Sequence, residues 1–274
     1  MPASIEVSPR QAVEFAELPG LFPAGTAVYL TDIAAAEDSA LVAAARRLRD
    51  LGYEPVPHLA ARRLATLSAL ERRVAAFAQE AGVRDVLVVG GDPAQPSGPF
   101  DSTLSVLETG TLDRHGIGRI GVAGHPAGSP AFDASAAVEA LRLKQAFARR
   151  TDADMRIVTQ FGFDGDAVVR WAQSLAEQGV DLPVHVGVSG PASMTTLIRY
   201  ATMVGIGNSV DFLRKQSGRL AALVAGPSPE TVVGPVERRW QADPGGPIRQ
   251  LHVFAFGGLK SAAGWLRERG SWGE

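Results

Sequence analysis

The stretch Arg156-Ile157-Val158-Thr159-Gln160-Phe161-Gly162-Phe163-Asp164 decides how the rest of the chain is read. Its β-branched run predicts a short strand that stops at the polar pair Thr159 and Gln160. Asp164 is suited to cap a helix predicted over Asp164 to Gln178, with Gly179 as its stop. Polar and aromatic side chains therefore gather where a strand hands over to a helix, which is where α/β proteins place their chemistry.

Outward from this unit the same grammar recurs. Short apolar runs predict strands at Ser4 to Val7, Ala27 to Leu30, Glu54 to Leu59, Asp85 to Val89, Arg119 to Ala123, Val184 to Val188 and Leu251 to Ala255. Between them lie segments of helical period. Leu41, Ala44, Ala45, Leu48 and Leu51 form one stripe before Gly52, and Leu67, Leu70, Val74, Phe77 and Ala81 form another before Gly82. Shorter or less regular helices are predicted at Gln11 to Leu18, Ser102 to Glu108, Ser135 to Arg149, Ser193 to Val204 and Leu259 to Arg269. A further helical segment is expected at Ser209 to Gln216, while Ser228 to Pro247, broken by Pro and Gly, reads as a surface loop or terminal insertion.

Eight such units in 274 residues predict an α/β fold, a single (β/α)8 TIM barrel spanning residues 1–274. An open doubly wound sheet would need a glycine-rich fingerprint after the first strand, and Val7-Ser8-Pro9-Arg10 is not one. No solenoid-length motif repeats along the chain.

Composition narrows the chemistry. The absence of cysteine excludes disulfides, thiolate metal sites and thiol nucleophiles. A formal charge of −2, with arginines scattered over predicted helices, argues against a nucleic-acid footprint. The start Met1-Pro2-Ala3-Ser4 lacks the pattern of a leader, and no apolar run approaches the ~20 residues of a membrane span, so a cytoplasmic protein is expected.

In a barrel the carboxyl ends of the strands converge. Those positions carry Glu6, Thr31 with Asp32, His58, Asp92, His125, Gln160, Ser189 and Phe256 with Gly257. Lys144, Lys215 and Lys260 all fall on predicted helices, leaving no amine for Schiff-base chemistry at this ring. His58, Asp92, His125 and His185 lack the spacing of a metal motif, and no metal is expected. Each polar group also has a bland role open to it: His58 and His125 as strand-end histidines satisfying buried backbone, Asp92 as a turn residue after Gly90-Gly91. The glycine-rich ends Gly187-Val188-Ser189-Gly190 and Phe256-Gly257-Gly258 suit either tight turns or a backbone cradle for phosphate.

Taken together these stretches resemble the methylenetetrahydrofolate reductase family, as a divergent, short bacterial-type member. Ile157-Val158-Thr159-Gln160-Phe161-Gly162-Phe163-Asp164 is similar to the family's isoleucine-threonine-glutamine followed by aromatics and aspartate. Ile5-Glu6-Val7-Ser8-Pro9-Arg10, Pro57-His58-Leu59, Gly91-Asp92, Leu141-Arg142-Leu143-Lys144, Gly187-Val188 and Leu251-His252-Val253-Phe254 fall in the expected order. The resemblance implies a flavoenzyme barrel that passes hydride from NAD(P)H through FAD to the folate-bound methylene of 5,10-methylenetetrahydrofolate. It implies Glu6 as general acid, Asp92 tuning charge and Gln160 orienting the pterin. It also implies Thr31, His58, Gly91, Asp92, His125, Glu139 and Arg142 around the cofactor, and Met194, with Gln160, on the substrate. Departures concentrate on the flavin side. Gly90 stands where the family has arginine, His125 where it has tyrosine, Ser129 where it has histidine, and Met194 where it has a stacking aromatic.

The expected partners are thus a folate and a nicotinamide, with homo-oligomers compatible with the sequence and the choice between NADH and NADPH open. Two other readings stay open: a barrel enzyme acting on a phosphorylated metabolite held by the glycine-rich ends, and a non-catalytic folate or flavin binder.

Overall fold

Local signals set the elements before packing does. Ser8 caps the first helix in a reciprocal box with Gln11, Thr66 and Ser102 accept from backbone amides three residues on, and Asp164 accepts from the Ala167 amide at 2.9 Å. Gly52, Gly82 and Gly179 take positive φ just past helix ends. The structure, a computed structural model, describes residues 1–32, 37–129, 131–203 and 226–273.

The strands are β1 (Ala3–Val7), β2 (Ala27–Leu30), β3 (Glu54–Ala60), β4 (Asp85–Val89), β5 (Arg119–Gly124), β6 (Asp154–Thr159), β7 (Val184–Ser189) and β8 (Ile248–Phe254). They are ordered β1 to β8 in a closed barrel, and the ladders are parallel, as between β3 and β4 (His58 opposite Leu87) and between β7 and β8. The helices are α1 (Pro9–Glu14), α2 (Asp38–Asp50), α3 (Leu67–Glu80), α4 (Thr103–Leu107), α5 (Thr111–Arg114), α6 (Ala134–Arg150), α7 (Gly165–Glu177), α8 (Met194–Met203), α9 (Glu230–Ala242) and α10 (Leu259–Glu268). This is the (β/α)8 TIM barrel that the alternation predicted. Parallel strands covered by helices are buried on both faces, which is why β4 reads as the continuous run Val86-Leu87-Val88-Val89. Among the described residues no helix is long and apolar enough to cross a membrane.

The segment read as a loop, Ser228 to Pro247, instead contains α9, with Pro235 inside it. Tertiary burial overrides the breaker signal here. Val232, Val233 and Val236 are buried, and Gly165 at the start of α7 lies so close that a Cβ on it would stand 2.3 Å from the Val232 carbonyl oxygen. Charges fasten α9 to α10: the Trp265 indole donates to Glu230 at 2.8 Å, and Arg269 pairs with Glu230 and Glu237 at 3.0 and 2.7 Å. The helix expected at Ser209 to Gln216 lies outside the described residues.

The chain divides into two compact units, described separately below. The first is Ile5–Ala123 with Ala146–Arg156; the second is Met1–Ser4, Gly124–Gln145 and Ile157–Glu274.

Candidate functional site

In the first unit the acid of β1 is the starting point. Glu6 pairs in register with Tyr29 of β2, and its Oε2 lies 3.5 Å from Nε2 of His58 on β3. Both side chains are largely enclosed, 16% and 14% exposed. Burial pushes the Glu6 carboxyl above the ordinary carboxylate range, against a smaller downward pull from His58. A carboxyl in that position holds its proton where an exposed one would have lost it.

Next to this pair lies a second buried polar group. The Tyr29 ring meets the His58 ring edge-on at 6.1 Å between centroids. The Tyr29 hydroxyl accepts from Nε and Nη2 of Arg156 at 3.0 and 2.7 Å, and the same Nη2 donates to Asp85 at 2.8 Å. Burial drives Tyr29 up to about 12, so it stays a phenol. Burial disfavours the Arg156 charge, but Tyr29 and Asp85 outweigh it and hold the guanidinium above its ordinary value.

Asp92 sits differently. Its side chain is 70% exposed and pairs with Arg63, whose Nη2 lies 2.6 Å and Nε 3.0 Å from Oδ1. The same guanidinium donates to the Asp32 carbonyl at 2.5 Å, while the enclosed Asp32 carboxylate accepts from Arg73 at 3.0 Å and from the Ala60 amide at 3.2 Å. Gly91 turns with φ 93° against Ala60. Arg63 follows β3 in a 3-10 turn, Ala61–Arg63, and nothing in the sequence pointed to it. The Thr31 hydroxyl is buried with no hydrogen-bond partner among the described residues.

In the second unit, backbone contacts fix Gln160. Its amide donates to the Gly124 carbonyl at 3.0 Å, and the Thr159 hydroxyl donates to the Gln160 carbonyl at 2.9 Å while accepting from the Gly187 amide at 2.8 Å. Gly187 allows β7 to come that close, since a Cβ there would stand 2.2 Å from the Thr159 carbonyl oxygen. The half-buried Gln160 side chain makes no hydrogen bond among the described residues, which leaves its carboxamide available to a ligand.

Beside it an aromatic cluster has formed. Phe256 stacks on Tyr200 at 4.1 Å and on Phe254 at 5.5 Å, and Phe161 meets Phe254, Phe256 and Phe163 edge-on. Met194, expected on the substrate, is only 1% exposed and is a core member of this cluster. The half-buried rings here are Tyr200, Phe254 and Phe256. Phe256 was expected at a strand end, whereas Tyr200 from α8 and Phe254 from β8 were not read as parts of a ring cluster.

Two of the residues expected around the cofactor lie on helix α6. Glu139 and Arg142 are exposed and pair with each other at 3.6 Å, and Arg142 Nε donates to the Gln178 carbonyl at the end of α7 at 2.8 Å. The basic residue that turns inward is Lys144, buried with Leu141 and Gln145 on one stripe. It makes no hydrogen bond or ion pair among the described residues, and burial lowers it from 10.5 to about 8. His125 is lowered to about 4 by burial and by the charge of Lys144, so it is neutral at pH 7, and its ring meets Phe132 edge-on at 5.0 Å. A lysine three residues after Leu141 on an amphipathic stripe was the available signal for this group.

The glycine-rich strand ends have packing roles. A Cβ on Gly257 would lie 1.9 Å from the Pro191 carbonyl oxygen, and the Ser189 hydroxyl is taken by the Gly190 carbonyl at 2.7 Å. Two surface clefts of the first unit, of about 350 and 410 Å³, lie between α2 and α3 and beside the amino end of β5. Neither includes a residue of the strand ends described above.

The 5,10-methylenetetrahydrofolate reductase of Pectobacterium carotovorum subsp. carotovorum is 28% identical over 159 residues, 57% of this chain and 50% of that protein. Methylenetetrahydrofolate reductase 1 of Schizosaccharomyces pombe is 29% identical over 136 residues, 47% of this chain and 22% of that protein. The matched region is thus half or less of each relative's length. Among solved structures, an uncharacterized protein from Clostridium thermocellum, described as binding two copies of 5-methyl-5,6,7,8-tetrahydrofolic acid, superposes with a TM-score of 0.56 over 93% of this chain and 89% of that one. At 9% identity that likeness is one of fold. The methylenetetrahydrofolate reductase family model matches residues 21–213, and the chain belongs to that family.

Proposed function

We propose that the protein reduces the folate-bound methylene of 5,10-methylenetetrahydrofolate to methyl, with hydride drawn from NAD(P)H. The observation that carries the reading is Glu6, an enclosed carboxyl at a strand end whose burial favours its protonated form. The bridging methylene accepts hydride only after one of its carbon–nitrogen bonds has opened to an iminium. A neutral carboxyl drives that opening by protonating the departing folate nitrogen.

Gln160 has the other chemistry a pterin calls for. Its carboxamide donates and accepts at once, matching the alternating edge of the pterin and fixing the plane on which hydride arrives. Asp92 supplies negative charge that favours a developing iminium, moderated by its pairing with Arg63. The stack of Tyr200, Phe256 and Phe254 offers flat apolar surface in place of Met194.

For FAD the residues fit at the anionic end. A buried lysine without a counter-ion suits a diphosphate, and Lys144 would take it, with neutral His125 beside it. Glu139 and Arg142 are engaged with each other and with α7, so they are left out of this assignment. FAD, when bound, supplies a two-electron carrier between the nicotinamide and the substrate carbon. Lys144 suits the diphosphate of a nicotinamide dinucleotide equally, so the absorbance spectrum of the purified protein discriminates between the two routes. A yellow protein carries the flavin route; a colourless one that oxidises NAD(P)H only when methylenetetrahydrofolate is present carries direct transfer.

Glu6→Gln tests the reading itself. It should abolish folate reduction and leave binding of the nicotinamide intact. Undiminished turnover in this variant would remove Glu6, and with it the assigned mechanism.

A further inference from the structure

Glu6 has a partner that the proposed chemistry does not use. His58 Nε2 lies 3.5 Å from Glu6 Oε2, near the outer limit of a direct hydrogen bond, a length that catalytic pairs shorten when a ligand closes over them. The surrounding elements hold both groups in place. Glu6 is in the β1 ladder opposite Tyr29, His58 is in the β3 ladder opposite Leu87, and the Tyr29 ring abuts the imidazole edge-on. Tyr29 in turn is fixed by Arg156, which Asp85 anchors. Among the described residues, the titratable and charged groups next to the pair include the phenol of Tyr29 and, behind it, the ion pair of Arg156 and Asp85. Tyr29 is raised to about 12 and Arg156 is held above its ordinary value, while burial raises the Asp85 carboxyl against the opposing pull of Arg156 and Arg119.

We propose that Glu6 and His58 form a dyad that shares one proton, with His58 acting as the positioning and reloading partner of the acid. The inference rests on Glu6 being the general acid of the proposed reduction. In each cycle the Glu6 O–H bond breaks and its proton passes to the folate nitrogen that leaves the methylene carbon. The resulting carboxylate stands beside the imidazole, which takes a proton from solvent across its exposed edge. The imidazolium N–H bond then breaks, the Glu6 O–H bond re-forms, and His58 returns to neutral. No oxidant or reductant is needed, and the net proton comes from water.

Sharing has a consequence that a purely structural histidine does not. The proton has two seats, so the one-proton state persists to higher pH than it would on Glu6 alone. The two groups then titrate as a pair and not as independent residues. Exposure of His58 at 14% gives the solvent edge that reloading requires.

The test reads His58 directly. Two-bond ¹H–¹⁵N spectra of the full chain resolve the imidazoles of its five histidines, with His58 assigned by its absence in His58→Gln. The expected result is a two-step titration of His58 in the unsubstituted protein, which in Glu6→Gln becomes a single step shifted to lower pH by about one unit or more. A single step unaltered by Glu6→Gln overturns the dyad. The pH profile of folate reduction gives the second readout. In His58→Gln its alkaline limb should move to lower pH; a uniform fall in kcat with the limb unmoved also overturns the proposal. If the protein reduces no folate under any nicotinamide, the functional reading fails, while the spectra still decide whether the dyad exists.

Discussion

Lys144→Met separates what a buried ammonium costs the fold from what it does for a ligand. Lys144 is 9% exposed and has no ion-pair partner among the described residues, and its lowering from 10.5 to about 8 comes from burial alone. Each pKa unit is worth about 1.4 kcal/mol, so holding the charge inside costs the folded state roughly 3 kcal/mol at pH 7. Between pH 8 and 10.5 the unfolded chain still binds the proton that the folded chain has released, so stability rises with pH across that window and the whole penalty is present below it. Methionine keeps the unbranched shape without the charge. Urea unfolding should therefore show Lys144→Met more stable than the parent by ~2–3 kcal/mol at pH 7, the difference closing above pH 10.5. The same substitution should raise the His125 value, since the Lys144 charge is the second cause of its lowering. Addition of the dinucleotide should stabilise the parent and not the variant. Equal stabilities at pH 7, or a gap that persists unchanged to high pH, would refute the assignment of Lys144 as a charge held at a loss.

Three shorter predictions follow from packing and pairing. Gly187→Ala should displace the Thr159–Gln160 backbone, because its Cβ would stand 2.2 Å from the Thr159 carbonyl oxygen; thermal melting and folate titration should both weaken, and an unaltered melting temperature would mean that β7 gives way freely. Arg156→Met leaves the buried Asp85 carboxylate with only the longer 3.6 Å pairing to Arg119, a loss of ~3 kcal/mol in denaturant unfolding, and a loss below ~1 kcal/mol would show that Arg119 or solvent takes over the charge. Gln160→Leu should weaken folate affinity by ~1–3 kcal/mol in calorimetry with no change in melting temperature, since its carboxamide supports no protein contact among the described residues. Unchanged affinity would make Gln160 a spacer.

The barrel was legible because each parallel strand is written as a local apolar run and several helices carry their own cap or stop. Asp164 capping α7 and Gly179 ending it are decided within a few residues of sequence. What was hidden depends on meetings between distant segments. Pro235 and the glycines around it read as breakers, and α9 forms only because Val232, Val233 and Val236 find a buried surface. Arg142 and Lys144 are two residues apart on one helix. The turn of α6 sends one outward to the end of α7 and the other inward, a difference of phase that charge alone does not reveal. Asp92 could be read as an acid after two glycines, but its pairing with Arg63 arises from a turn that begins after another strand. Met194 looked like a replacement for a stacking aromatic, and only the assembled cluster shows it as filler beneath rings supplied by α8 and β8.

The exit of β3 and the loop after β4 are interlocked. A Cβ on Gly98 would lie 2.2 Å from the Ala65 carbonyl oxygen, the Ser97 amide donates to the Arg62 carbonyl at 2.8 Å, and Arg62 reaches the Asp101 carbonyl at 2.9 Å. For recombination between family members this makes residues 60–66 and 90–101 a single cassette. A chimera that exchanges one segment and keeps the other would pair a foreign backbone with a mould cut for its neighbour, and Asp92 would be the residue to lose its place.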